Sequence, residues 1–410
     1  MHDSRPKAKI PTEVFPAALF AMFCCRLPSF NELEQHRHKS SWTRWLGGHC
    51  LPSADELAYV SERLEPEGLR QCLGHIYSKL KRNKVLMPQR GWMLAAVDGH
   101  EVFSSYKRCC DTCLQRTITV RGEQKIQYYH RLVAFQILCE DFQLLLDVEM
   151  LEPGDCGEPG DDEVAAAMRL IARVLENHPR CFDVLTADAL YLRPSVIKLL
   201  KENGKHLVAV LKANQPELLA EARTLLPLEE QQHQAQWQSA AIAPEQFDTP
   251  AAPGKPARHI VLHQAEGFRT ETIDTELRVV HSHEIGTRRE RIAGDWVETP
   301  IDSHWWWATT MPRSLAEGAT IFHFGHDRWK IENEGFNELV TRWHSSHCFH
   351  HHPNSILVLW LILFMAHAVF HCFYKRNLKP ELRRTHTGVY FAALIAGRMR
   401  ENHWWPPPPD

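Results

Sequence analysis

The chain has 410 residues, enough for two or three domains with cores of their own, and its 44% hydrophobic and 24% charged content is that of an ordinary soluble globular protein. A formal net charge of only −3 excludes a protein that coats nucleic acid by bulk positive charge. Twelve cysteines in so long a chain, many within predicted core segments, point to free thiols in a reducing compartment rather than to a disulfide framework. The N-terminus lacks a secretory-signal pattern, no internal repeat stands out, and Pro406 to Pro409 form the one low-complexity run. The charge is unevenly spread. Residues 1–90 hold 14 Lys/Arg against 9 Asp/Glu and residues 326–410 hold 10 against 7, which leaves −11 between them. Basic flanks around an acidic centre suit a metal site served by polyanion-binding arms, and ordinary surface variation accounts for the same numbers equally well.

Residues 12 to 85 read as helices. Apolar residues recur at helical spacing through Val14–Leu27, Glu56–Leu64 and Leu69–Leu80, and Ser53 with Glu56 three residues on has the form of a helix cap. A basic run, Lys79 to Lys84, closes this small domain. From Trp92 the texture changes to strands: Trp92–Val97 ending at Asp98, then Gln115–Val120 and Ile126–Gln136 around an Arg121-Gly122-Glu123 turn, then Leu144–Val148. Asp161–Asn177 is amphipathic, with acidic residues in its first turn as the helix dipole favours. Phe182–Ala187 predicts a strand ending at Asp188, followed by a helix from Ser195 to Asn203 and a strand Leu207–Leu211 ending at Lys212. Residues 229–257 are rich in Gln, Ala and Pro, and strand-like stretches follow at His259–His263, Leu277–His281 and Trp305–Thr310. Antiparallel strands followed by alternating helix and strand predict an α/β protein, a mixed sheet covered by helices. Ile356–Tyr374 approaches membrane-spanning length, but His367 and His371 interrupt it and nothing else in the chain is similar, so a buried helix and no membrane association are expected.

The chemistry centres on His326–Leu339. At 100° per residue, Arg328, Glu332, Phe336 and Leu339 fall on one helical stripe, with Glu334 and Glu338 pointing away. A carboxylate on a semi-apolar stripe costs free energy unless something pairs with it or binds it. An i,i+4 Arg–Glu pair on a half-exposed helix is the bland alternative. Asp98 and Asp188, each at a predicted strand end, change that balance. If their strands neighbour one another and a helix brings Glu332 alongside, three carboxylates meet, and such a group shares protons or binds a hard cation such as Mg²⁺. Asp147 and Asp183 compete with Asp188 and rank below it on context. Lys212, just past a strand, is placed to reach a phosphate or is an ordinary exposed lysine. No P-loop, Gly-rich dinucleotide turn or nucleophile elbow is present.

Three blocks together, Ala96-Val97-Asp98-Gly99-His100-Glu101, Leu185-Thr186-Ala187-Asp188-Ala189-Leu190-Tyr191 and Arg328-Trp329-Lys330-Ile331-Glu332-Asn333, resemble those of the DDE transposases of bacterial insertion sequences. The resemblance covers roughly residues 90 to 375 and is nearest to the branch written Tyr-x2-Arg-x3-Glu-x6-Lys; Gly325 and Leu339 stand where that branch has Tyr and Lys. It implies a ribonuclease H-like mixed sheet, with an N-terminal helical DNA-binding domain at 1–90, catalytic parts at 91–224 and 305–352, a β-rich insertion at 225–304 and a C-terminal helical region at 353–410. It implies Asp98, Asp188 and Glu332 as ligands of Mg²⁺ or Mn²⁺, two ions in all, and phosphate contact from Arg328; His326 and Lys330 are the nearby substitutes for the missing Tyr and Lys, and Lys212 is a further candidate from its place after a strand. The implied partners are double-stranded DNA, both terminal inverted repeats and target, and a second copy of the chain when DNA is bound, in the bacterial cytoplasm. A metal-dependent nuclease of the same fold and a decayed DNA-binding relic are the alternatives.

Two secondary signals remain. Cys110 and Cys113 form a C-x2-C pair that, with His130 or His100, has the donors of a structural Zn²⁺ site, although reduced thiols at a hairpin turn are the commoner outcome. The run from His344 to His352 admits a metal cluster or DNA phosphate contacts; a solvated turn before Pro353 is the preferred reading.

Overall fold

In this computed structural model, which describes residues 5, 9–155, 161–226, 244–251, 256–292 and 295–401, ten strands form one mixed sheet flanked by helices. The strands are β1 (Leu94–Ser105), β2 (Leu114–Val120), β3 (Glu123–Leu138), β4 (Gln143–Met150), β5 (Val184–Ala187), β6 (His206–Val210), β7 (Glu245–Thr249), β8 (Arg258–Phe268), β9 (Leu277–Ile292) and β10 (Asp295–Thr309). Their order is β2-β3-β1-β5-β6-β10-β9-β8-β7, with β4 also paired to β3. β5 runs parallel to both β1 and β6, while β6–β10, β2–β3 and β3–β4 are antiparallel. This is the α/β, ribonuclease H-like mixed sheet expected from the sequence. Two compact units divide the chain: one holds Met1–Met87, Val97–Pro179 and Lys330–Asp410, the other Pro88–Ala96 and Arg180–Trp329.

The first unit opens with helices α1 (Val14–Cys24), α2 (Phe30–Glu34), α3 (Ser40–Trp45), α4 (Ala54–Ser61) and α5 (Pro66–Arg82). The expected cap at Ser53 is a full capping box, with the Glu56 N–H donating to Ser53 Oγ at 3.2 Å and the Ser53 N–H to Glu56 Oε2 at 2.8 Å. The β2–β3 hairpin turns at Arg121 and Gly122, whose φ values of 52° and 84° are the primed geometry that matches strand twist. α6 (Asp161–Asn177) covers β3 and β4. α10 (Asn337–Trp343), α11 (Pro353–Cys372), α12 (Pro380–Thr385) and α13 (Gly388–Arg400) complete the unit. α11 is long and apolar enough to cross a membrane, yet 72% of its apolar window is buried, packed on α1, α5 and β4. It is the core helix that its interrupting histidines suggested.

The second unit comprises the start of β1, β5 to β10, and helices α7 (Pro194–Glu202), α8 (Pro216–Leu225) and α9 (Gly318–Asp327). The strands expected in the long segment before Trp305 exist and are longer than read. β10 runs unbroken from Asp295 into Trp307–Thr309, where it pairs with β6. Much of the Gln/Ala/Pro-rich stretch, residues 227–243 and 252–255, lies outside the described residues, as do Pro406–Pro409.

Two expectations fail. Asp98 does not end a strand, since β1 continues to Ser105. Pairing of β1 with β5 stops at Ala96, but β3 flanks β1 in the sheet, so the backbone groups beyond Asp98 still have a partner strand. Nor is 326–339 one α-helix. α9 ends at Asp327, and a π-helical turn occupies Ile331–Phe336 before α10. Such i→i+5 bonding spends about one extra residue per turn, so the 100° phase does not carry across it. Glu332 is therefore exposed rather than on the buried stripe, and Glu338, placed outward by that phase, has only 16% of its side chain exposed.

Candidate active site

In the second unit, Val184–Ala187 are all buried, as a strand with parallel neighbours on both sides requires. β5 ends at Ala187, and the next residue, Asp188, is extended and leads into a 3₁₀ turn. Because Ala187 pairs with Ala209 of β6, Asp188 and Lys212 emerge at the same carboxyl edge, where open parallel sheets hold their ligands. Lys212 Nζ donates to Asp188 Oδ1 at 2.9 Å, with 54% and 33% of the two side chains exposed. Burial raises the Asp188 pKa, but the Lys212 hydrogen bond, the Ala189 N–H and the charges of Arg328 and Lys212 outweigh it, and the carboxyl titrates below its ordinary value. Arg328 is itself buried and stacks on the Trp329 ring at 4.5 Å.

α9 is tied to β5 by Thr186 Oγ1, which donates to the Phe324 carbonyl at 2.9 Å in a buried setting. The next residue, Gly325, packs beneath the indole of Trp307 so closely that a Cβ there would overlap the ring. The tyrosine expected at this position thus has no room. His326 is committed inward, its Nε2 2.7 Å from Glu284 Oε1 and its ring against Trp305, Trp307 and Phe322.

In the first unit, Asp98 Oδ1 accepts the Gly99 N–H at 3.0 Å. Gly99 faces α6, where any Cβ would collide with the Glu163 carboxylate that pairs with Arg131 at 2.7 Å. His100 shares the opposite face with Asp98, since side chains alternate along a strand. Its ring stacks on Phe336 with centroids 4.6 Å apart and lies near Trp360 at 5.8 Å; burial and then the Arg131 charge lower its pKa to about 4. The π-turn bearing Glu332 therefore rests on the face of β1 that carries Asp98. Leu339 is fully buried, so the lysine expected there would have to enter the core. Lys330 is half-buried, with its charge near Cys139, whose thiol burial pushes up to about 11.

The competing aspartates are already spent. Asp147 is held by Arg70 Nε at 3.1 Å and Arg173 Nε at 2.7 Å, beside a cleft of about 400 Å³. Asp183 accepts the Met93 N–H at 2.9 Å and fastens the start of β1 to β5.

Among the described residues three groups bring metal-ligating atoms within 4.8 Å of one another, and none contains Asp98, Asp188 or Glu332. One is Cys110, Cys113, His130 and His351. It unites the three zinc candidates, replaces His100 by His351, and leaves His100 stacked elsewhere. His351 belongs to the histidine run preferred as a solvated turn; its position two residues before Pro353 was the available signal. The others, Glu338–His367–His371 and His283–Asp302–His304, were not foreseen. In the former, His371 Nε2 is 2.9 Å from Glu338 Oε1; burial raises the Glu338 pKa, but the two histidines bring it far below the usual carboxylate range.

No curated protein matches the chain. Residues 115–369 match the Transposase DDE domain, a stretch that includes Asp188 and Glu332 and begins after Asp98. That match spans more than half of the sequence, in a chain whose mixed sheet bears an aspartate at the carboxyl edge of its parallel strands and a glutamate on the helical segment after the β-rich region. The protein belongs to the DDE transposase family of mobile elements, enzymes that bind and cut DNA and in general use divalent metal ions.

Proposed function

We propose that this chain is a metal-dependent transposase that hydrolyses a phosphodiester at each end of its element and then uses the freed 3′-hydroxyl to attack target DNA, with Asp98, Asp188 and Glu332 as its catalytic carboxylates. The observation that carries the reading is the β1–β5 register: Leu94, Ala95 and Ala96 pair with Val184, Leu185 and Thr186, and Asp98 and Asp188 each stand two residues past the last pair. The stacking of Phe336 on His100 adds support for Glu332 in the same role.

The donor chemistry fits Mg²⁺ or Mn²⁺: all three groups are hard carboxylate oxygens, and the lowered pKa of Asp188 keeps it ionised at neutral pH. Asp98, Asp188 and Glu332 would hold such ions, which when bound would supply activation of the attacking oxygen and charge stabilisation at the leaving one. The protein's own contribution is placement. Lys212 orients the Asp188 carboxylate and supplies positive charge beside the phosphate, and Arg328 supports the same charge from its buried position. Lys330 extends the phosphate contact along the DNA. The basic residues of the 1–90 domain and of the 353–410 region bind the element ends, with phosphate contacts giving most of the salt-sensitive affinity. Two chains act together on DNA, because two ends must be joined, and they do so in the bacterial cytoplasm.

One observation favours a narrower reading. The tyrosine and lysine of the signature are replaced at Gly325 and Leu339 by packed core positions, so DNA handling is altered and cleavage without joining, or DNA binding alone, is the second reading. The test incubates the purified protein with Mg²⁺ and DNA carrying the sequences that flank its gene, and follows cleaved and joined products. Joined donor–target product, lost by at least about 10³-fold in Asp98→Asn, Asp188→Asn and Glu332→Gln variants of native circular dichroism, is expected. Cleavage without joining selects the nuclease, and binding without cleavage the relic. Activity retained in all three variants overturns the assignment.

A further inference from the structure

We infer that Cys110, Cys113, His130 and His351 form a structural Zn²⁺ site independent of catalysis. The donors come from three segments of the first unit: the loop between β1 and β2, strand β3, and the residue pair before α11. The sulfurs of Cys110 and Cys113 are 3.5 Å apart. His130 Nε2 lies 3.3 Å from each of them, and His351 Nε2 lies 3.3 Å from the Cys113 sulfur. A tetrahedron with metal–sulfur bonds of about 2.3 Å and metal–nitrogen bonds of about 2.0–2.1 Å has sulfur–sulfur edges of about 3.8 Å and sulfur–nitrogen edges of about 3.6 Å. The observed edges fall within a few tenths of an ångström of these. The sulfur separation is far beyond the disulfide bond length of about 2.05 Å.

A tight turn brings the two cysteines together. The Cys110 N–H points at the Cys113 sulfur at 3.3 Å, and the Cys113 N–H closes a turn on the Cys110 carbonyl at 3.1 Å. Two soft thiolates and two imidazoles select Zn²⁺ over the hard cations suited to carboxylates. Binding would displace both thiol protons to solvent and engage the Nε2 lone pairs of two neutral imidazoles. The loaded site is then uncharged, which suits its burial: Cys113 is 5% and His130 1% exposed. Zinc would clamp the segment entering α11 to β3 and to the loop preceding β2, and so fix the segment that follows the Glu332-bearing turn and α10.

Full-length protein purified without a metal-affinity step should contain about one zinc per chain by plasma mass spectrometry. Exchange with Co²⁺ should give the intense visible bands of tetrahedral coordination and a thiolate-to-metal charge-transfer band. Cys113→Ser and His351→Asn should lose the zinc, while His350→Gln, outside the site, should keep it. Should Cys113→Ser fail to fold, quantitative release of zinc from the wild type by a thiol-modifying mercurial, read with a colorimetric chelator, gives the same answer. The proposal is overturned by wild-type protein that binds neither zinc nor cobalt, by a Cys110–Cys113 disulfide in the purified protein, or by a cobalt spectrum without thiolate charge transfer. None of these readouts depends on DNA cleavage, so a failure here leaves the transposase reading untouched.

Discussion

Gly325 offers the sharpest test of how this chain departs from the signature it resembles. In the middle of a helix, glycine to alanine ordinarily gains about 1 kcal/mol, because alanine loses less backbone entropy. Here the added Cβ would overlap three atoms of the Trp307 indole, which is fully buried and wedged by Phe322 at 5.8 Å and His326 at 5.1 Å. Overpacking of this kind costs about 1–3 kcal/mol, and an indole pinned on two sides belongs at or above the upper end. A net loss of roughly 2 kcal/mol or more is expected for Gly325→Ala, and a larger one for Gly325→Tyr. The assay is urea unfolding followed by far-ultraviolet circular dichroism, in a double-mutant cycle with Trp307→Phe. Removing part of the indole should relieve the clash, so the two substitutions together should cost about 1 kcal/mol less than their sum. Gly325→Ala as stable as the wild type, or additive with Trp307→Phe, would refute the packing argument.

Three further outcomes follow from the charges and burials. Asp188 titrates below its ordinary value when folded, so its contribution to stability is present above about pH 4 and is lost as pH falls through the folded pKa. Lys212→Met should therefore lower the urea midpoint at pH 6, and the gap to the wild type should shrink as pH falls through the folded Asp188 pKa; the gap is worth under about 1 kcal/mol because the pair is half-exposed, and a gap unchanged by pH would contradict it. Burial holds His281 at a pKa of about 3 and His367 at about 4, so both stay neutral when folded while the unfolded chain takes up protons near pH 6.5. Stability should fall as pH drops from 6.5 toward 4, by roughly 1 kcal/mol per histidine at pH 5.5, and His367→Phe should flatten the profile. Arg173→Met should cost about 2–3 kcal/mol in the same unfolding assay, since it strips a partner from Asp147 at 2.7 Å and from Glu149 at 2.6 Å, both largely buried.

What the sequence revealed, and what it hid, divides along physical lines. Short apolar runs bounded by turn residues marked β5 and β6, because strands with parallel neighbours have to be apolar on both faces. Asp188 and Lys212 could thus be placed at one edge from pattern alone, and the blocks around Asp98 and Glu332 carried the family. The continuation of β1 past Asp98 was illegible because a polar, glycine-containing stretch gives no alternation; only β3, as a neighbouring strand, makes it a strand. His351 was hidden for a different reason. It lies 238 residues from Cys113, and no local rule joins donors at that separation.

Glu332 was preferred to Glu334 on helical phase, and the π-turn removes that reason, since both are exposed. One contact and one electrostatic influence within the first unit bear on the distinction instead. Phe336 stacks on His100, which shares a strand face with Asp98, so this turn is seated on β1. The charge of Glu334, by contrast, is first among those that oppose the lowering of the Lys375 pKa by burial, which places its influence at the end of α11. Glu334 thus acts on the surroundings of Lys375, whose Nζ donates to the Asp141 carbonyl at 2.6 Å, whereas no such influence is resolved for Glu332. Glu332→Gln and Glu334→Gln are isosteric changes at exposed positions, and each should leave stability within about 0.5 kcal/mol. Cleavage should then separate them, with Glu332→Gln inactive and Glu334→Gln within a few-fold of wild type. Equal loss in both variants would return the choice of third carboxylate to open competition.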